Sequence, residues 1–149
     1  MEINRAAPVF HETEILVPAP PEVVWAVLTD FAGWTSWNPG VEHVDVRGPL
    51  QAGTEFAWKA GGIGIRSMLQ DVSPPARISW TGEAMGLHAI HAWRLAPEAG
   101  GTRVHTQESF EGALASLMKG KLQKTLSETL DKGLSALKAE CLRRTGAGS

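Results

Sequence analysis

The stretch LASLMKGKLQKTLSETLDKGLSALKAEC, residues 114–141, decides the architecture. Leu114, Leu117, Met118, Leu122, Leu126, Leu130, Leu134, Leu137 and Cys141 recur at spacings of three and four, which aligns them as one apolar stripe on an α-helix. Lys119, Lys121, Lys124, Glu128, Asp131, Lys132 and Lys138 fall mostly off that stripe. The pattern predicts about thirty helical residues after Gly112, a rod roughly 45 Å long. Gly120 and Gly133 each weaken it by about 1 kcal/mol relative to alanine, and are expected to mark a bend or the close approach of another element. A lone helix cannot hide such a stripe, so it must lie on a sheet or on a partner chain.

Upstream, the helical period gives way to alternation and turn chemistry. Strands are expected at Val41–Arg47, Glu55–Ala60, Ile63–Val72, Arg77–Ala84, His88–Leu95 and Arg103–Phe110. Gly48-Pro49, Gly53, Gly61-Gly62, Pro74-Pro75, Gly86 and Glu98–Gly101 separate them. Gly61-Gly62 suits a two-residue hairpin turn, where both central positions need positive φ. Such short links make consecutive strands antiparallel neighbours. A further strand, Val9–Val17, turns Glu12 and Glu14 outward and His11, Thr13, Ile15 and Val17 inward. Pro18 and Pro20 end it, and Pro21 suits a first helical turn. Val23, Val24, Val27 and Leu28 then form the apolar face of a short helix with Trp25 on its flank, and a second short helix runs from Phe31 until Pro39 stops it. The expected fold class is α+β: seven antiparallel strands, two short helices after the first, and a long C-terminal helix packed over the sheet. A sheet curved around one helix has an inner face wider than the helix covers, and the surplus is a cavity. One domain is expected over residues 1–149, with its core at about 9–143 and a frayed tail from Thr145.

Val17-Pro-Ala-Pro-Pro-Glu-Val-Val-Trp-Ala-Val-Leu-Thr-Asp-Phe31, followed by Trp37-Asn38-Pro39, resembles the opening of the START-like, Bet v 1-like (SRPBCC) superfamily and its polyketide cyclase/dehydrase group. Ile78-Ser-Trp-Thr-Gly82, His91-Ala-Trp-Arg-Leu95, Gly101-Thr102, Glu108-Ser-Phe-Glu-Gly112 and Ala136-Leu-Lys-Ala-Glu140 continue the likeness in order over nearly the whole chain. The resemblance implies the helix-grip fold and a hydrophobic cavity between helix and sheet. It implies no single reaction, since such proteins include lipid carriers, plant ligand-binding proteins, aromatase/cyclases, hydroxylase domains and co-chaperones. No Rieske cysteine pattern is present.

The most informative polar residues are His91 and Glu108. Pairing the last two strands through Glu98–Gly101 sets Pro97 opposite Thr102, Leu95 opposite Val104, Trp93 opposite Thr106 and His91 opposite Glu108. Opposed residues share a face. Leu95, Trp93, Val104 and Phe110 make that face the inner one, while Arg94, Arg103, His105 and Gln107 point out. A His and a Glu are therefore expected side by side on the cavity wall. Burial alone would lower the pKa of one and raise that of the other, and together they could form a charge-assisted pair or share a proton. They are the catalytic candidates, or else the polar anchor of a ligand. The alternative is a pair that only holds strand register.

Ligand contact is also expected from Trp37, Trp58, Trp80, Trp93, Thr106 and Phe110, and from Met118, Leu122, Leu126 and Leu130 on the helix. Trp37 could rim the open end of the cavity or cap the end of the core. The other tryptophans could equally be core, because six Trp with no Tyr are costly to leave in water.

The remaining patterns narrow the function. His88 and His91 point to opposite faces, and His11, His43 and His105 lack metal-ligand spacing, so no metal is expected. No phosphate loop follows Gly61-Gly62, and no cofactor is expected. Cys141, the single cysteine, reads as packing and suits a reducing compartment. With no signal-peptide pattern at residues 1–10, the expected location is cytoplasmic. No apolar run reaches a membrane span of about 20 residues. A net charge of -2 argues against nucleic acid. Residues 113–144 hold seven Lys/Arg against three Asp/Glu, which leaves seven against thirteen elsewhere. That basic face could meet an acidic partner or simply be solvated. The expected partner is a hydrophobic small molecule (lipid, polyketide or aromatic), bound by a monomer or weak homodimer acting as carrier or sensor. A cyclase/aromatase or hydratase-type enzyme and a protein-interaction module are the alternatives.

Overall fold

A computed structural model describes residues 3–146; the remainder of the expected frayed tail lies outside the described residues. The chain runs β1 (Val9–Val17), α1 (Pro21–Thr29), a 3-10 turn (Phe31–Gly33) and α2 (Trp34–Trp37). It continues through β2 (Val41–Val46), β3 (Glu55–Ala60), β4 (Ile63–Ser73), β5 (Arg77–Ala84), β6 (Leu87–Glu98) and β7 (Gly101–Glu111), and ends in α3 (Ala113–Leu117) and α4 (Lys119–Thr145). All seven strands form one antiparallel sheet in the order β1-β7-β6-β5-β4-β3-β2. Consecutive strands from β2 to β7 are neighbours, and β1 closes onto β7. The chain has the helix-grip architecture, with the long C-terminal helix over the sheet.

The turns follow their residues. Gly61 and Gly62 take φ of 58° and 82° in the β3–β4 hairpin. Gly101 opens β7 at φ 146°, where a Cβ would stand 2.0 Å from the carbonyl oxygen of Val17. Only glycine lets β7 start that close to the end of β1. The hairpin between β6 and β7 is tighter than the expected four-residue loop, since Glu98 already pairs with Gly101.

Two expectations are corrected at the C-terminus. The predicted single helix is two, broken at Met118, whose φ of -114° and ψ of 33° lie outside the α-helix. On a straight helix Ala115 and Leu130 would stand about 22 Å apart. The break brings both into one buried cluster with Val9 and Leu126. It also strands Leu117, which is 82% exposed instead of joining the stripe. Nor do Gly120 and Gly133 mark a close approach, because a Cβ at either would meet open space.

The rest of the stripe is spent within the chain. Leu134, Leu137 and Cys141 join the main core with Val17, Leu28, Phe31, Trp34, Phe56 and Trp80. Burial pushes the Cys141 thiol up to about 11, which makes it a packing group. At the far end Glu140, 6% exposed, is held down to about 2 by hydrogen bonds from Arg143 and Arg144, and Arg144 also reaches Asp30. Those two arginines are thereby paired within the chain, although Arg143 itself stays 70% exposed. At the near end Gln123 closes the free edge of β1. Its Oε1 accepts from Phe10 N–H at 3.1 Å and its Nε2 donates to Phe10 C=O at 2.7 Å. Among the described residues no helix is long and apolar enough to cross a membrane.

Candidate functional site

The main core and the smaller cluster around Val9 do not meet completely, and a cavity of about 240 Å³ lies between them. Strand alternation builds its wall in rows. Leu87, Ala89 and His91 come from β6, Phe110 and Glu108 from β7, and Ala84, Gly82 and Trp80 from β5. Ile63, Ile65 and Ser67 of β4 and Ala60 and Trp58 of β3 complete the sheet side. Leu122, Thr125, Leu126 and Thr129 of α4 form the roof. A Cβ at Gly82 would fill the space between Ile65 and Ala89 at ordinary contact distances of 3.4 Å and 3.6 Å. The strand ends at the β3–β4 and β5–β6 tips form one limit of the cavity, and His91, Glu108 and Trp80 the other.

The polar end follows from register. His91 stands opposite Glu108 on β7 and opposite Trp80 on β5. Its ring lies 5.1 Å from Trp80 and 5.0 Å from Trp93, centroid to centroid. The Thr106 hydroxyl donates to Ala92 C=O at 3.2 Å, so it accepts from His91 Nε2–H at 2.8 Å. His91 Nδ1 is then the unprotonated nitrogen, and it faces Glu108 Oε1 across 3.6 Å. That is too long for a hydrogen bond. Burial drives His91 down to about 3 and Glu108 up to about 8. At neutral pH both are therefore mostly uncharged, and the charge-assisted bond they could have formed is not made. His11 faces Glu108 from β1.

Of the residues singled out from sequence, Trp58, Trp80, His91, Glu108, Phe110, Leu122 and Leu126 line this cavity. Trp37 packs against the main core, as the capping alternative has it. Trp93 lies one inward position beyond His91, in the core, and its Nε1–H has no acceptor among the described residues. Thr106 sits behind His91 as its hydrogen-bond partner, and Leu130 belongs to the cluster around Val9. Met118 is the break between α3 and α4. Sequence reasoning missed the small residues Ala60, Ala84 and Ala89, whose shared inward parity was the available signal. It also missed Thr125 and Thr129, which sit beside the leucine stripe. No cluster of three metal-ligating side chains occurs among the described residues.

Residues 11–141 match the family described as polyketide cyclase / dehydrase and lipid transport. The chain belongs to this family. No curated protein matches it closely enough to add to that. Among solved structures, this family member is similar to the Zhui aromatase/cyclase from Streptomyces sp. R1128, with a TM-score of 0.81 at 20% identity over 91% of this chain and 94% of that one. It is similar to a START superfamily protein from Mycobacterium smegmatis, with a TM-score of 0.78 at 14% identity over 90% and 97%. A Thermus thermophilus protein gives 0.75 at 25% identity over 91% and 98%. At these identities the first two likenesses establish the fold and leave the chemistry to the cavity itself.

Proposed function

We propose that this protein holds an apolar small molecule in the cavity between α4 and the sheet, as a carrier or sensor. One observation carries the reading: a wall that is mostly apolar and carries its two titratable side chains, His91 and Glu108, together at one end. Burying a ligand against such a wall is favourable by about 25 cal/mol per Å² of apolar surface. The size narrows the ligand. A cavity of about 150 Å³ already holds benzene, so about 240 Å³ suits one or two fused rings better than a long acyl chain. Naphthalene should bind saturably at one site, quench the indole emission of Trp80 and Trp58, and be lost in Gly82→Leu, which fills the space. No saturable binding by small aromatic probes would refute it.

A second reading is a cyclase- or dehydratase-type enzyme. It is favoured by Glu108, a carboxyl that keeps its proton up to about 8 at the polar end of an apolar cavity and can serve there as a general acid. In that case Glu108→Gln keeps ligand affinity and loses turnover, whereas a carrier shows no turnover to lose.

A further inference from the structure

The gap between His91 and Glu108 has a chemical preference of its own, which has meaning only if the cavity binds a ligand as proposed. His91 Nδ1 is an acceptor because the other ring nitrogen spends its proton on Thr106, whose own proton is committed to Ala92 C=O. The Glu108 carboxyl is a donor while it remains protonated, and burial favours that form. The titratable side chains facing it are His91 on β6 and His11 on β1. The roof residues of α4 at the cavity are Leu122, Thr125, Leu126 and Thr129, none of them charged. At 3.6 Å the two groups are too far apart to bond each other, yet one oxygen atom can lie about 2.8 Å from both. Ser67, the other polar side chain on the sheet wall, already accepts from Trp58 Nε1–H at 3.0 Å.

We propose that this gap seats the hydroxyl of an uncharged one- or two-ring ligand (an alcohol, phenol or enol), which donates to His91 Nδ1 and accepts from Glu108 while its carbon skeleton fills the apolar cavity. The same geometry rejects anions. Among the described residues no Lys or Arg lines the cavity, so a carboxylate or phosphate would be buried without a counter-charge. A carboxylate also has no proton for Nδ1. A ketone or methyl ether can use the Glu108 donor only and leaves the acceptor unpaired.

The test is a binding ladder on the intact protein at about pH 6, using naphthalene, 2-naphthol, 2-methoxynaphthalene and 2-naphthoate. The ether keeps the Glu108 bond, so the naphthol differs from it by the one bond to His91 Nδ1, and losing that bond while leaving the nitrogen buried and unpaired corresponds to about tenfold or more in affinity. The naphthol should therefore bind at least about tenfold tighter than its methyl ether, and the naphthoate more weakly than naphthalene. In His91→Phe the naphthol advantage over its ether should fall to about threefold or less, and in Glu108→Leu the naphthol and the ether should both lose affinity relative to naphthalene. If naphthalene binds but the naphthol and its ether bind equally, or the naphthoate binds as well as the naphthol, the hydroxyl assignment is wrong and the cavity reading stands. If none of the four binds, both fall together. The wild-type ladder decides the matter even if a variant fails to fold.

Discussion

Replacing Glu108 by Gln should change how stability depends on pH, and the size of the change is set by burial. The carboxyl has an ordinary value of 4.5 and stands at about 8 in the folded protein. A raised acid binds its proton more tightly when folded. Its contribution is therefore full below 4.5 and is lost as pH rises toward 8, at about 1.4 kcal/mol per pH unit. His91 behaves in the mirror sense. Depressed from 6.5 to about 3, it costs nothing above 6.5 and destabilises progressively as pH falls toward 3. Between 4.5 and 6.5 the two slopes oppose one another, and above 6.5 Glu108 acts alone. Gln keeps the shape and a donor but does not titrate. From about pH 5 to about pH 7.5 the variant should gain on the wild type by about 3 kcal/mol, a little under the slope multiplied by the interval because the slope is not full near either pKa. Urea unfolding followed by tryptophan emission at several pH values measures this. The difference between the two proteins matters, because every other titrating group cancels in it. A His11→Gln background separates the carboxyl from its neighbour on β1. If the two stability curves run parallel across that range, Glu108 is not held protonated and the neutral polar end is wrong.

Leu130 is 4% exposed, so Leu130→Ala should cost about 2–5 kcal/mol in a denaturant titration, and a loss independent of protein concentration would show that the stripe is spent within one chain. Gln123→Leu leaves the N–H and C=O of Phe10 unpaired at the sheet edge and should cost about 1–3 kcal/mol, with faster amide exchange at Phe10 as the local signature. Gly101→Ala drives a methyl group into the Val17 carbonyl and should abolish folding or cut stability by more than about 3 kcal/mol, whereas Gly61→Asn in the open hairpin turn should shift it by less than about 1 kcal/mol.

Register and parity were the most legible parts of this chain. Alternation in β6 and β7, with a short glycine-containing link, leaves one pairing that buries Leu95, Trp93 and Val104 together, and that pairing carries His91 to Glu108. The long helix was legible as a stripe but not as two pieces. The break at Met118 comes from Ala115 reaching the cluster around Val9, a contact between residues more than a hundred positions apart. The depth of the site was hidden for a similar reason. Trp93 and His91 are both inward, and periodicity does not say which one the cavity stops at. Thr106 was read as a ligand contact because it shares the inner face, whereas its hydroxyl is turned to the neighbouring strand and to His91. Side-chain direction within a face is set by rotamers, which spacing does not encode.

Gln123 bears on traffic as well as on structure. Leu122 lines the cavity, and the very next residue grips the backbone of Phe10 from both sides. Lifting the start of α4 to release a guest would break both bonds and expose Val9 at once. Among the described residues no backbone hydrogen bond ties the β3–β4 and β5–β6 tips to α4. For a guest held as proposed, the hairpin side past Ile63 and Leu87 is the route that leaves the Gln123 bonds intact. Residence time then depends on those two tips, while equilibrium occupancy depends on the wall beneath them. Stiffening a tip should slow arrival and departure alike and leave their ratio where it was.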